Sequence, residues 1–384
     1  MYADELLRPW HEVLVAQSLE GELFDAHTHT GSNDPDGFSC TAQELTGALE
    51  LAGARAAVFS MHEPDGYQQA NDRVLAEAAA SDGRLLAFSR VDPGHGGVAE
   101  ARRCADRGAH GIKLHPRAEG FALAEAGVRE VFAVAREREL PVIVHAGRGI
   151  PALGAHALEL TAAFPTVALI LAHAGICDLA WLWRHTGEHP NLYFDTAWWN
   201  PADLLTLFTL VPPSRILYAS DTPYGTPVQA SVLAGRCALQ AGLASEQLAG
   251  VMGAQLDRLL AREAPLDLGA APGPAALELD VLLERIYTFL LTAIGGMLRG
   301  DSGEEYIGLA RLACEVGESA PLAPTCRSVL ALLDRHQRHM ASGAIESEVF
   351  PGLHLVVTAA TVARTPRAPL PPDPEPVDVG ERAV

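Results

Sequence analysis

The stretch Leu23-Phe24-Asp25-Ala26-His27-Thr28-His29-Thr30-Gly31 begins with apolar residues, continues with polar residues at alternate positions and stops at a glycine. Read as a strand it has a side-chain period of two, which puts Asp25, His27 and His29 on one face. Two imidazoles at alternate positions near a strand end lie ~6.5 Å apart along the backbone, near enough to converge on one ion. Two solvated surface histidines would look the same, so the later histidines and aspartates decide between the readings.

Seven more short apolar runs follow, at 54–60, 85–92, 108–115, 141–145, 167–173, 191–196 and 215–221. Alanine-rich amphipathic stretches separate and follow them, at 42–51, 67–81, 98–107, 123–139, 151–164, 179–185, 202–210 and 228–241. Eight strand–helix pairs predict an α/β fold of the (β/α)8 TIM-barrel type. An open doubly wound sheet is the competing architecture, but no Gly-x-Gly-x-x-Gly follows an early strand. Several runs end in a chemically competent residue and then a breaker: His29-Thr-Gly31, His115-Pro116, His145-Ala-Gly147, His173-Ala-Gly175 and Asp221-Thr-Pro223. In a barrel these ends share one rim, the rim on which active sites are built. His27, His29, His145 and Asp221 then supply three nitrogens and a carboxylate. That set suits Zn²⁺ or another borderline divalent ion and leaves room for a water whose pKa falls toward ~7. His173 is placed to take a proton from that water, with Asp221 sharing the task.

The 384 residues carry a formal charge of −20, which argues against a nucleic-acid or anionic-membrane surface. The first residues lack the basic start and apolar run of a signal peptide, and the longest apolar stretch, 286–298, is too short to span a bilayer. Six scattered cysteines fit reduced thiols in a cytoplasm. Of 28 basic residues, Lys113 is the only lysine. An amine can lose its proton or be carboxylated and a guanidinium cannot, so this residue is a candidate for chemistry.

Residues 1–263 are read as the barrel, with a lead-in helix at 3–18 and a closing helix at 247–262. A proline- and glycine-rich linker follows at 264–274. Helical patterns at 277–298, 304–315, 325–340 and 353–362 make 275–363 a helical C-terminal domain, packed on itself or on a partner subunit in a homodimer. Its Asp334, His336 and His339 could ligate a metal or simply form a solvated helix face. Residues 364–384, dense in proline and acid, read as a disordered tail.

The motifs Asp25-Ala-His27-Thr-His29, Gly111-Ile-Lys113-Leu-His115-Pro116, Val144-His145-Ala-Gly147, Leu171-Ala-His173-Ala-Gly175 and Ser220-Asp221-Thr-Pro223 together resemble the amidohydrolase superfamily of metal-dependent hydrolases. The likeness is greatest to the branch that contains aminocarboxymuconate-semialdehyde decarboxylase, and it covers roughly residues 20–260. It implies one metal held by His27, His29, His145 and Asp221, with His173 handling the catalytic water. Other members carry a carboxylated lysine that bridges two metals, so Lys113 is either that bridge or, with one ion, a substrate contact or proton donor. The helical region after residue 274 is not part of the usual pattern.

Rim loops would supply the substrate contacts. His115, Arg117 and Arg148 follow the fourth and fifth strands, and Trp198, Trp199 and Tyr224 follow the seventh and eighth. Paired arginines with aromatic walls suit a planar, carboxylated small molecule, unless the arginines face solvent. His62 and Arg90 are further candidates. Three functions follow in order. The first is a metal-dependent hydrolase of an amide, ester or lactone, and the second a non-oxidative decarboxylase on the same site. The third is an idle barrel whose helical region binds a partner.

Overall fold

A computed structural model describes residues 4–18, 21–342 and 349–372. Eight strands form one sheet in sequence order: β1 (Leu23–Thr30), β2 (Ala54–Ser60), β3 (Leu85–Arg90), β4 (Gly111–Leu114), β5 (Val142–Val144), β6 (Leu169–Leu171), β7 (Leu192–Asp195) and β8 (Ile216–Leu217). Every neighbouring pair is parallel. Backbone bonds close the ring, with Ala26 N donating to Tyr218 O (2.9 Å), Asp221 N to His27 O (2.8 Å) and His29 N to Thr222 O (2.8 Å). The protein is an α/β TIM barrel with additional C-terminal helices.

The helices on the outside are α1 (Asp4–Ser18), α2 (Ala42–Ala52), α3 (Gln68–Ala79), α4 (Gly97–Asp106), the single turn α5 (Pro116–Glu119), α6 (Ala126–Arg138), α7 (Leu153–Ala163), α8 (Leu179–Leu182), α9 (Pro201–Leu210), α10 (Pro227–Ala241), α11 (Ser245–Ala249) and α12 (Gln255–Leu260). Alternation along the strands divides the core in two. One set of side chains, including Ala56, Val58, Ile112, Leu114, Val142 and Val144, packs against the helices. The other, including Phe24, Phe59, Phe88, Ile143, Ile170, Tyr193 and Leu217, fills the barrel. β4 adds no apolar side chain to that interior: by register Gly111 lies opposite Phe88 and Lys113 opposite Arg90 and Ile143. The lone lysine therefore stands inside the barrel.

β8 is shorter than the run 215–221 because Tyr218 N leaves the ladder to bond Val251 O at 3.0 Å, and Asp221 adopts φ +58°. Beyond the barrel come α13 (Val281–Met297), α14 (Glu304–Ala313), α15 (Ala323–Ala341) and α16 (Leu353–Arg364). α16 packs against α13, α15 and α10, and one apolar layer runs from the barrel helices into it.

The expected tail begins with a packed segment. Arg236 of α10 donates to Thr365 Oγ1 (3.0 Å), Thr365 O (2.9 Å) and Pro369 O (2.5 Å), and Arg367 N donates to Gln240 Oε1 at 3.0 Å. These buried partners hold 365–372 on the barrel, which composition alone does not reveal. Residues 373–384 lie outside the described residues. Among the described residues, no helix is long and apolar enough to cross a membrane.

Candidate active site

The site starts from an irregularity in β1. Asp25 pairs with Ala56 but Thr28 with Val58, so Ala26 and His27 together oppose Ala57. This is a β-bulge, a device that re-aims side chains beside active sites. Unbroken alternation would put Asp25, His27 and His29 on one face. Instead Asp25 takes the parity of Ala56, on the helix side, while His29 lies opposite Phe59 of the interior. Asp25 Oδ1 accepts from His27 N and Ser220 N, each at 3.0 Å, and so ties β1 to the segment after β8. Burial pushes the Asp25 carboxyl up to about 7.

Above the bulge three atoms meet. His27 Nε2 and His29 Nε2 are 3.2 Å apart, and each is 3.1 Å from Asp221 Oδ1. Among the described residues this trio is the one group of three metal-competent side chains whose ligand atoms converge. Asp195 Oδ2 accepts from His27 Nδ1 at 2.8 Å, and Ser60 O faces His29 Nδ1 at 3.5 Å. Carbonyl and carboxylate oxygens can only accept, so both rings carry a proton on Nδ1 and direct Nε2 at Asp221. Carboxylate–histidine pairing of this kind is how proteins aim a metal-binding imidazole.

The electrostatics call for positive charge at that point. Burial works against the Asp221 charge, yet the neighbouring His27 and His173 rings hold it well below the usual carboxylate range. Burial and Lys113 press the His27 ring toward neutrality, but Asp221 and Asp195 outweigh them and its pKa rises. Burial drives His29 down to about 3, so its lone pair is free at neutral pH. Lys113 Nζ stands 3.0 Å from His27 Nε2 and 4.5 Å from the centre of the Phe59 ring. Desolvation brings this amine down to about 7. Two imidazoles and a carboxylate around a point that demands a cation fit a divalent metal of the borderline class.

His145 does not join the trio. Its Nδ1 is 2.8 Å from His173 Nε2, its ring stacks on His115 with centroids 3.8 Å apart, and its buried Nε2 lacks a hydrogen-bond partner. That nitrogen lies against Gly147, where a Cβ would sit 2.6 Å away. The second His-Ala-Gly motif also needs its glycine: Gly175 has φ +59° and a Cβ there would meet the Phe194 ring at 2.8 Å. His173 and Ala174 share the left-handed conformation, at φ +59° and +56°. Two non-glycine residues in succession there are strained, and strain of this kind persists where surrounding contacts enforce it. His173 N donates to Asp195 Oδ1 at 2.8 Å, and His173 Nδ1 donates to Ala197 O at 2.7 Å. The nearest approach of His173 to Asp221 is 3.8 Å.

Trp198 and Tyr224 flank the histidines, with ring centroids 6.2 Å from His173 and 5.7 Å from His29 respectively. Asp203 Oδ2 accepts from Trp198 Nε1 at 2.6 Å, and Asp34 accepts from the Tyr224 hydroxyl at 2.6 Å. His115 caps α5, its Nδ1 accepting from Ala118 N at 3.1 Å. Arg117 and Arg148 are exposed on the rim. Arg90 is buried and donates to Glu119 Oε1 at 2.7 Å, which also accepts from the Tyr67 hydroxyl at 2.5 Å. His62 Nδ1 lies 3.8 Å from the same oxygen. In the C-terminal helices, His336 Nδ1 bonds Gly352 O at 3.2 Å and Asp334 bonds Arg311 at 2.6 Å.

Sequence reading passed over Asp195, Glu119 and Tyr67. Asp195 carried a usable signal, since it ends its strand as His115 and His145 directly follow theirs. Glu119 ends the short helix α5 and Tyr67 immediately precedes α3, and neither carries such a mark.

A family model described as amidohydrolase matches residues 24–253, more than half of the chain. The chain belongs to the amidohydrolase family. Comparison with curated proteins returned no match. Among solved structures, 2,6-dihydroxybenzoate decarboxylase in complex with 2,6-dihydroxybenzoate matches at 16% identity and a TM-score of 0.50, covering 64% of this chain and 99% of that one. The Rhizobium 2,6-dihydroxybenzoate decarboxylase matches at 16% identity and 0.50, covering 63% and 99%. An uncharacterised TIM-barrel protein of Bordetella bronchiseptica matches at 14% identity and 0.52, covering 63% and 99%. At these identities the likeness is one of fold. Those barrels are matched almost end to end, while over a third of this amidohydrolase-family chain has no counterpart in them.

Proposed function

We propose that this amidohydrolase-family chain is a metal-dependent, non-oxidative decarboxylase of a small carboxylate, planar and aromatic, using one zinc ion. This places decarboxylation ahead of hydrolysis, the reverse of the order suggested by the motifs. The observation that carries the choice is the state of His173. Its Nδ1 donates to a carbonyl and its Nε2 accepts from His145, so neither nitrogen is free to take a proton from water. Hydrolysis needs such a base; decarboxylation needs an acid. Lys113, its amine down to about 7 and touching His27, is suited to be that acid. The solved barrels of the same fold that act on 2,6-dihydroxybenzoate lend the substrate class.

His27, His29 and Asp221 would hold the ion, with His145 Nε2 a further buried nitrogen that lacks a hydrogen-bond partner. A divalent cation there would attract the substrate's anionic oxygens and stabilise negative charge as the bond to carbon dioxide breaks. Trp198 and Tyr224 would bracket a planar ring. The Lys113 ammonium delivers its proton to the carbon that loses the carboxylate: one C–C bond breaks, one C–H bond forms, and solvent reprotonates the amine.

The test uses zinc-loaded protein and a panel of aromatic acids in D₂O, beginning with 2,6-dihydroxybenzoate. Release of CO₂ with one deuterium at the vacated carbon is expected. An acid must be protonated to act, so the rate should fall as pH rises through about 7, and Lys113→Gln should lose that limb. Turnover of lactones or amides, with no CO₂ from any acid, would overturn the proposal.

A further inference from the structure

We propose that Asp195 is the positioning residue of the metal centre: it fixes the His27 proton on Nδ1, leaving the Nε2 lone pair for the ion, and binds that ring to the turn that carries His173. The inference rests on the reading of His27 as a ligand.

Asp195 ends β7 and is fully buried. Three donors converge on its carboxylate. His27 Nδ1 reaches Oδ2 at 2.8 Å, while His173 N and Ala197 N reach Oδ1 at 2.8 and 3.0 Å. Backbone N–H groups can only donate, so Oδ1 is committed to the strained turn. The other oxygen then accepts from His27, and this choice sets the tautomer. One side chain thus serves two strands' worth of site: a ligand from β1 and the left-handed residues after β6.

Asparagine at this position separates the two duties, although it has the same shape. It offers one acceptor oxygen and one NH₂. With the oxygen toward His173 N and Ala197 N, the NH₂ faces His27 Nδ1, which must become the acceptor; the ring proton moves to Nε2 and the ligand lone pair is lost. With the amide reversed, an NH₂ opposes two buried backbone N–H groups that have no alternative acceptor there. The first arrangement strands fewer donors, so Asp195→Asn keeps the turn and sacrifices the ligand.

The experiment measures zinc affinity by chelator competition and the His27 tautomer by ¹⁵N-histidine spectra of metal-free protein at alkaline pH, for the natural chain and Asp195→Asn. Wild-type His27 should carry its proton on Nδ1. The variant should move it to Nε2, keep its fold, and bind zinc about 10–100-fold more weakly. A folded variant with unchanged zinc affinity, or a wild-type His27 protonated on Nε2, would overturn the proposal. Should the variant fail to fold, the wild-type spectrum still decides. A natural chain that binds no zinc would sink the metal-dependent reading of the site, and the tautomer shift would then judge Asp195 alone.

Discussion

The barrel mouth and the layer built around α16 bury side chains with equal thoroughness and to opposite ends. Around α16, Leu355, Val356, Val357, Ala359, Ala360 and Val362 are buried, and the buried threonines are satisfied within their own helix. Thr358 Oγ1 donates to His354 O at 2.7 Å, and Thr361 Oγ1 to Val357 O at 3.0 Å. Those hydroxyls are settled within one turn, and most of what surrounds them is hydrocarbon adhesion. In the mouth, buried groups are set against one another: two imidazoles and a carboxylate share one point, and a buried amine touches them. The first region gains stability from burial. The second uses burial to change what its groups can do.

That contrast can be broken by substitution. His29→Ala removes a candidate ligand and, on the proposed function, should lower CO₂ release by ~10³-fold or more, the several kcal/mol a bound cation contributes. Its melting temperature should hold or rise, because crowded polar groups are relieved. A variant with activity intact would show that the mouth is packing and not chemistry. Leu355→Ala should do the opposite: a cost of about 3–4 kcal/mol in denaturant unfolding, with turnover per folded molecule unchanged. Lost turnover at full occupancy of the folded state would show that the layer is coupled to the site.

The smallest effect lies between the two regions, at Asp4 of α1. Its Oδ1 accepts from the Thr226 hydroxyl at 2.5 Å, and burial pushes its pKa up to about 6 from 3.8. A carboxyl with a raised folded pKa binds its proton better in the folded chain. Its contribution is therefore complete below the unfolded pKa near 4 and is lost as pH rises to about 6. Asp4→Asn has no charge to bury. Its stability should match the natural chain near pH 4 and exceed it by up to ~3 kcal/mol above pH 6, read from urea midpoints across that range. A constant difference at every pH would place the titration elsewhere.

Much of this architecture was legible because local rules and the fold agree. The run 54–60 is β2 to the residue, and the stretches 304–315 and 325–340 contain or overlap α14 and α15 closely. Lys113 was legible by its rarity, and the His-Ala-Gly motifs by the breaker after each strand. What escaped depends on partners far away in the chain. Asp195 is defined by a histidine 168 residues distant. The β1 bulge is a one-residue slip in pairing that leaves composition untouched, so Asp25 could not be seen to leave the face of His29. Arg117 and Arg148 were placed on the rim, but rim position does not set which way a long side chain turns. The segment 365–372 looks like solvated chain until its acceptors for Arg236 are known.

That last contact makes the segment from Thr365 to Pro369 part of the interior. Burial already draws the Arg236 guanidinium down to about 10, and its charge is answered by the oxygens of Thr365 and Pro369. A polypeptide stopped at Arg364 would retain every helix and every candidate ligand, yet strand an uncompensated cation within hydrocarbon. Those few residues act as a cork, and a chain cut just before them should unfold at a lower urea concentration.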